Sequence, residues 1–288
     1  MKIKIIILVT ASLFMMGFKA DKPAYRLFNP EGKEVKYSKM LKEVLDADIV
    51  FFGELHNNPI AHWLELEITK ELYNAKGDSL VLAAEMFERD DQLIIDEFLT
   101  GSYEADKFEA EVKLWKNYKT DYKPLMTFAK DSGLYFIASN VPRRYASMVS
   151  KKGFEVLDSL TDMAKQYIAP LPLEYDPEVK GYKDMLDMMG MGGHANENLP
   201  KAQALKDATM AWSIKEYYVP GNTVIHYNGS YHSKNFEGII WYLNKYLPGL
   251  KIVTLETVSQ KNIEELEAEN LGVASFIFAV PESMTKTY

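Results

Sequence analysis

The pattern Gly-x-x-His occurs twice, as Gly53-Glu54-Leu55-His56 and as Gly229-Ser230-Tyr231-His232. Each copy follows an apolar run with the makeup of a buried strand, residues 48–52 and 223–227. In parallel α/β sheets, ligands collect beyond the carboxyl ends of the strands. A glycine there lets the chain turn, and a histidine three places on can reach the cleft. Glu54 belongs to the first copy, and Glu85 closes another apolar run, Leu80-Val81-Leu82-Ala83-Ala84-Glu85. Carboxylate and imidazole together ligate divalent metals, and they equally make a general base whose ring the carboxylate orients. Glu54, His56, Glu85 and His232 are therefore the candidate catalytic and metal-ligating residues, provided their strands share one sheet. The plainer alternative is a local hydrogen bond satisfying each of them. His62 fits a supporting role, and His226, inside a strand, fits a buried core histidine.

Further candidates come from charge and softness. Arg89 and Arg143 follow two strand ends, where a guanidinium can clamp a ligand carboxylate through paired hydrogen bonds, or else pair with a local acid. Met185, Met188, Met189 and Met191 crowd one stretch that ends in Gly192-Gly193-His194. Methionine packs adaptably against flat ligands. The stretch reads as a helix core with a glycine cap, or as one wall for a planar ligand whose metal His194 or the phenols of Tyr167, Tyr175 or Tyr182 could reach. No His-Glu-x-x-His, Gly-x-Ser-x-Gly, Walker loop or Gly-x-Gly-x-x-Gly after a strand is present, which weakens the common metalloprotease, serine hydrolase and nucleotide-binding readings.

The elements that must position these residues alternate. Apolar strands are expected at 49–52, 80–85, 133–138, 223–227, 251–255 and 275–280, and a hairpin across 26–37. Asn58-Pro59 opens a helix as cap and first residue, and apolar residues at four-residue spacing carry it to Lys76. Nearly continuous apolar strands separated by helices predict an α/β fold, a mostly parallel sheet flanked by helices on both faces. Residues 143–220 show helical patterns alone, a helical insertion subdomain between a first core part, 21–142, and a second, 221–288.

With 288 residues, 47% hydrophobic and 26% charged, the chain has ordinary globular composition. A net charge of −8 without a basic run argues against a nucleic-acid partner. The chain has no cysteine, which excludes disulfides, thiolate ligands and a cysteine-linked lipid anchor. Lys2 and Lys4 before the apolar run 5–16, with small and mixed residues through Ala20, read as a signal peptide over 1–20, too short to span a bilayer. The expected location is the bacterial periplasm or cell envelope.

At these residues the sequence resembles the ChaN-like haem-binding family, in the superfamily of Tiki proteases and erythromycin esterase-like proteins. The matching stretches are 52–59, 84–89, 139–143, 202–211, and 228–232 followed by Gly238-Ile239. The resemblance implies haem held between the core and the helical subdomain, a possible homodimer around stacked haems, and a part in haem or iron acquisition with an envelope receptor or transporter. On that reading His194, Arg89, Arg143 and Tyr182 contact haem. Glu54, His56, Glu85 and His232 match the metal-binding positions of the hydrolytic relatives, so the alternative is a metal-dependent peptidase or esterase. Family members are often lipoproteins, and the missing cysteine departs from that.

Overall fold

A computed structural model describes residues 22–190 and 196–288. Seven strands form one sheet: β1 (Arg26–Phe28), β2 (Ile49–Glu54), β3 (Leu80–Glu88), β4 (Tyr135–Asn140), β5 (Thr223–Gly229), β6 (Ile252–Gln260) and β7 (Phe276–Pro281). Their spatial order is β1-β7-β6-β2-β5-β3-β4. All pairs are parallel except β1 with β7. The expected α/β class is the observed one.

Alternate side chains of one strand serve two cores, as the pleat requires. In β2, Val50 and Phe52 face one side and Ile49 and Phe51 the other. The first face is covered by helices α1 (Tyr37–Leu45), α2 (Pro59–Lys76), α3 (Gln92–Leu99), α4 (Ala105–Glu111) and α5 (Lys123–Asp131). Between β4 and β5 run α6 (Arg143–Lys152), α7 (Asp162–Lys165), α8 (Lys180–Gly190) and α9 (Asn198–Tyr217). Among the described residues the span 143–220 holds helices and irregular chain but no strand, and α9 is no appendage. Its Ala204, Ala208, Ala211 and Ile214 pack with α10 (Ile239–Tyr246) against the second face of the sheet.

The segment 26–37 departs from the expected hairpin. β1 runs antiparallel to β7, with Leu27 opposite Phe278, and only Phe28 and Glu34 bridge locally. Pairing with β7 gives the apolar edge strand a neighbour and buries Leu27 and Phe28, whereas a two-stranded hairpin alone buries little.

β5 lies between β2 and β3 although it follows both in sequence. Glu54 ends β2 directly opposite Gly229 at the end of β5, and Ala84 stands opposite Tyr227. The ends of β2 and β5, and β3 where its register shifts after Ala84, therefore deliver Glu54, the second Gly-x-x-His and Glu85, three residues short of the β3 end, to one rim, the place where α/β sheets bind ligands.

Candidate functional site

Both histidines line one cavity of about 1000 Å³ at this rim. His56 Nδ1 lies 2.6 Å from Glu54 Oε1, which also accepts the Tyr122 hydroxyl at 2.6 Å. The edge of the Trp115 ring lies against the imidazole, with centroids 4.8 Å apart. Burial disfavours a charged His56, but the hydrogen bond and charge of Glu54 outweigh it and raise the ring's pKa.

Across the rim, His232 Nε2 lies 3.1 Å from Glu85 Oε1, and its Nδ1 pairs with Asp207 Oδ1. Burial again opposes charge on the ring, and two carboxylates reverse that, pushing His232 up to about 10. Glu85 accepts the Gly229 amide at 2.8 Å. Burial alone would raise its pKa; the neighbouring His232, His56 and this amide instead hold it well below the carboxylate range. Glu85 is an anion fixed between two rings.

The glycines of the two patterns serve close approach rather than a turn. A Cβ on Gly229 would fall 2.6 Å from His56 Nε2, and one on Gly53 would fall 2.0 Å from Glu256 Oε2. Neither glycine has a positive φ, so what the site needs is the missing side chain.

Beneath His56 lies a second buried group. His62 Nε2 reaches the His56 carbonyl at 3.1 Å, while its Nδ1 faces Glu65 Oε2 at 3.0 Å and Glu54 Oε2 at 3.5 Å. Asn117 donates to the same His56 carbonyl and to Asp121. Burial pushes Glu65 well above its ordinary pKa, with the Glu54 charge adding to it.

Of the other expected residues, Arg143 lines the cavity with Met185. Arg89 does not. It lines a separate cleft and its guanidinium is engaged by Ser213, the Gln166 carbonyl and Glu216. The acid of α9 captures it before it can reach the rim. Tyr182 is buried, its hydroxyl donating to Asp207 Oδ2 at 2.8 Å, so it supports the carboxylate behind His232 and does not face the cavity. His194 and Met191 lie outside the described residues. His226 is the core histidine expected, held by Ser139 and Asn228.

Several residues of the site had not been singled out. Asp207 and Gln203 approach His232 from α9, one helical turn apart in the stretch 202–211. Spacing of i, i+3 and i+4 for Gln203, Lys206 and Asp207 was the available signal. Trp115, Asn117, Tyr122 and Tyr288 come from segments with no motif, and Tyr231 occupies an unspecified position inside the second Gly-x-x-His pattern.

Residues 40–243 match the family described as haem-binding uptake, Tiki superfamily, ChaN. The chain belongs to that family. ChaN of Campylobacter jejuni, a protein whose structure shows cofacial haem binding, superposes with a TM-score of 0.65 at 18% identity, covering 88% of this chain and 96% of that one. A succinoglycan biosynthesis protein matches with a TM-score of 0.50 at 12% identity, covering 85% and 89%. Both likenesses show a shared fold. Protein RETICULATA-RELATED 5, chloroplastic, of Arabidopsis thaliana is 28% identical over 132 residues, 44% of this chain. The chain spans only 18% of that relative's length.

The cavity of this ChaN-family protein has chemistry that fits a porphyrin. Leu55, Met86, Leu114, Trp115, Val141 and Met185 supply apolar wall, while Lys113, Lys116, Arg143 and Lys206 supply positive charge. Tyr231 and Tyr288, both largely exposed, bring phenol oxygens to the same space.

Proposed function

We propose that this protein binds haem in the cavity at the carboxyl end of its sheet, and that it does so as an exported carrier in haem or iron acquisition. The observation carrying the reading is the cavity itself, roomy, apolar along its walls and basic around them, in a chain of the haem-binding family. Pockets for large ligands are largely apolar with a few placed polar groups. Arg143, Lys206 and Lys116 would hold the propionates, Lys113 being engaged by Glu88, with Trp115, Met86 and Met185 against the ring. His56, His232, Tyr231 and Tyr288 are among the nitrogen and oxygen donors that line the space. Haem supplies an iron centre that accepts such donors. The leader expected over 1–20 from Lys2, Lys4 and the apolar run 5–16 is what supports export. The cofacial haems of the Campylobacter jejuni protein support a dimer in which two copies hold facing haems, handing them to an envelope receptor.

Titration of the purified protein with hemin tests this. A saturable shift of the Soret band is expected, weakened when Arg143 and Lys206 are both changed to Glu and altered in shape by Tyr231→Phe, Tyr288→Phe or His56→Ala. A spectrum no different from hemin with an unrelated protein would refute it.

One observation favours a hydrolytic second reading: a half-exposed imidazole, His56, and a buried one, His232, both approach Glu85 at the cavity floor. Paired groups of this kind are acid–base machinery. His56, oriented by Glu54, would take a proton from water and His232 would give one to a leaving group. Ester and peptide hydrolysis abolished by His56→Ala and His232→Ala would establish it, and absence of any turnover in the wild type would remove it.

A further inference from the structure

The residues beneath His56 form a ligand set that shares only Glu54 with the four named by the motifs. Glu54, His62 and Glu65 each present one ligand atom, all lying within 4.8 Å of one another and all buried. Two of these residues carry an orphaned atom: Glu54 Oε2 and Glu65 Oε1 are buried and accept no hydrogen bond. Burying a polar oxygen without a partner is costly, and burying two carboxylates side by side requires either a shared proton or a cation.

The orientation of His62 decides which atom is offered. Its Nε2 lies 3.1 Å from the His56 carbonyl, an acceptor only, so the proton sits on Nε2. That leaves Nδ1 facing Glu65 Oε2 at 3.0 Å and Glu54 Oε2 at 3.5 Å, a position that holds a proton when no ion is bound and offers a lone pair once a cation displaces it. A metal-ligating histidine commonly gives its other N–H to a backbone carbonyl in this way. Ligand atoms at these separations suit bonds of about 2.0–2.2 Å from one nitrogen and carboxylate oxygens. Two carboxylates and a neutral imidazole carry two negative charges, the complement of a divalent ion.

We propose that Glu54, His62 and Glu65 bind a divalent transition-metal cation, held beneath the cavity floor and joined to it through Glu54 and His56. Glu54 bridges the two levels, with Oε1 on His56 and Tyr122 and Oε2 on the ion. Binding displaces any proton from the Glu54–Glu65 pair and from His62 Nδ1 into solvent, so uptake is accompanied by acid release. The imidazole and carboxylate donors suit zinc, iron(II) or manganese(II). The ion would fix the orientation of Glu54 and hence of His56, whichever chemistry the cavity performs.

The test uses the full chain stripped with chelator, dialysed against zinc or manganese(II), and measured for bound metal by elemental analysis. One equivalent is expected in the wild type. Glu65→Gln replaces a carboxyl by an amide of equal shape, so the fold should persist by circular dichroism, and affinity should fall by more than the roughly 10–100-fold lost when only an outer partner is removed. His62→Gln should do the same, and His232→Gln should keep its equivalent. Proton release into weak buffer on adding metal to the wild type gives a second reading that needs no variant. Failure of the wild type to retain metal, or retention unchanged in Glu65→Gln, would overturn the site. Loss in His232→Gln instead would place the ion at Glu85 and equally overturn it. Hemin titration run in parallel reports on the cavity separately.

Discussion

Gly229 illustrates how a single missing side chain shapes the site. His56 Nε2 occupies the space where its Cβ would stand, which brings the ring to within reach of Glu85. Gly229→Ala is expected to leave β5 paired, since its backbone is extended, and to push the His56 ring off Glu54 or away from Glu85. Overpacking of this kind costs about 1–3 kcal/mol. Comparison of the thermal midpoint and the His56 NMR chemical shifts of Gly229→Ala with wild type checks it. A ring that stays where it is, with unchanged stability, would show that His56 has room to spare. Glu54, Glu85, His56 and His232 were legible residue by residue, because Glu at an apolar strand end and a Gly-x-x-His repeat are local signals, whereas Asp207 and Glu65 on their helices carried no such motif. The role of the glycine was not, because the atom it avoids belongs to another strand.

At the scale of elements, the rim is assembled by strand ends and trimmed by helix caps. Asn58 caps α2 through the amides of Ile60 and Ala61, and this fixes the direction in which the chain leaves His56. Glu237, five residues past His232, accepts the amides of Lys180 and Gly181 and so holds the start of α8, the helix that brings Met185 to the cavity. A carboxylate there also favours the positive end of the helix. Glu237→Ala should cost about 1 kcal/mol and loosen α8 selectively. Hydrogen exchange should become faster over residues 180–187 while β5 and α9 keep their protection. Uniform protection would mean that α8 is held by its packing alone. The Asn58-Pro59 cap was readable because both partners lie within one turn. The Glu237 cap joins residues far apart in the chain, and nothing in either segment announces the other. Arg89 lies away from the cavity for the same reason: its partner Glu216 arrives with α9.

For the molecule as a whole, the buried charges make stability depend on pH. His232 is held as a cation up to about 10 by Glu85 and Asp207, against the opposing effect of burial. Its folded pKa stands above its unfolded value near 6.5. The stabilisation is therefore complete below about 6.5 and is lost as pH rises through about 10. Thermal midpoints should fall between pH 7 and 10, and the fall should be shallower in His232→Gln. An equal slope in both proteins would assign the loss to other groups. The sequence by itself determined that the chain is a parallel α/β protein, because apolar strands and helical periodicity are written in consecutive residues. It also singled out Glu54, His56, Glu85 and His232, because their motifs are local. Only the tertiary structure decided that β5 inserts between β2 and β3, which puts the two histidines on either side of Glu85. It likewise separated Arg89 from Arg143, turned Tyr182 inward to Asp207, and set Glu65 and His62 under Glu54. Strand order and helix docking are fixed by burial summed over distant segments, and no local pattern carries that sum.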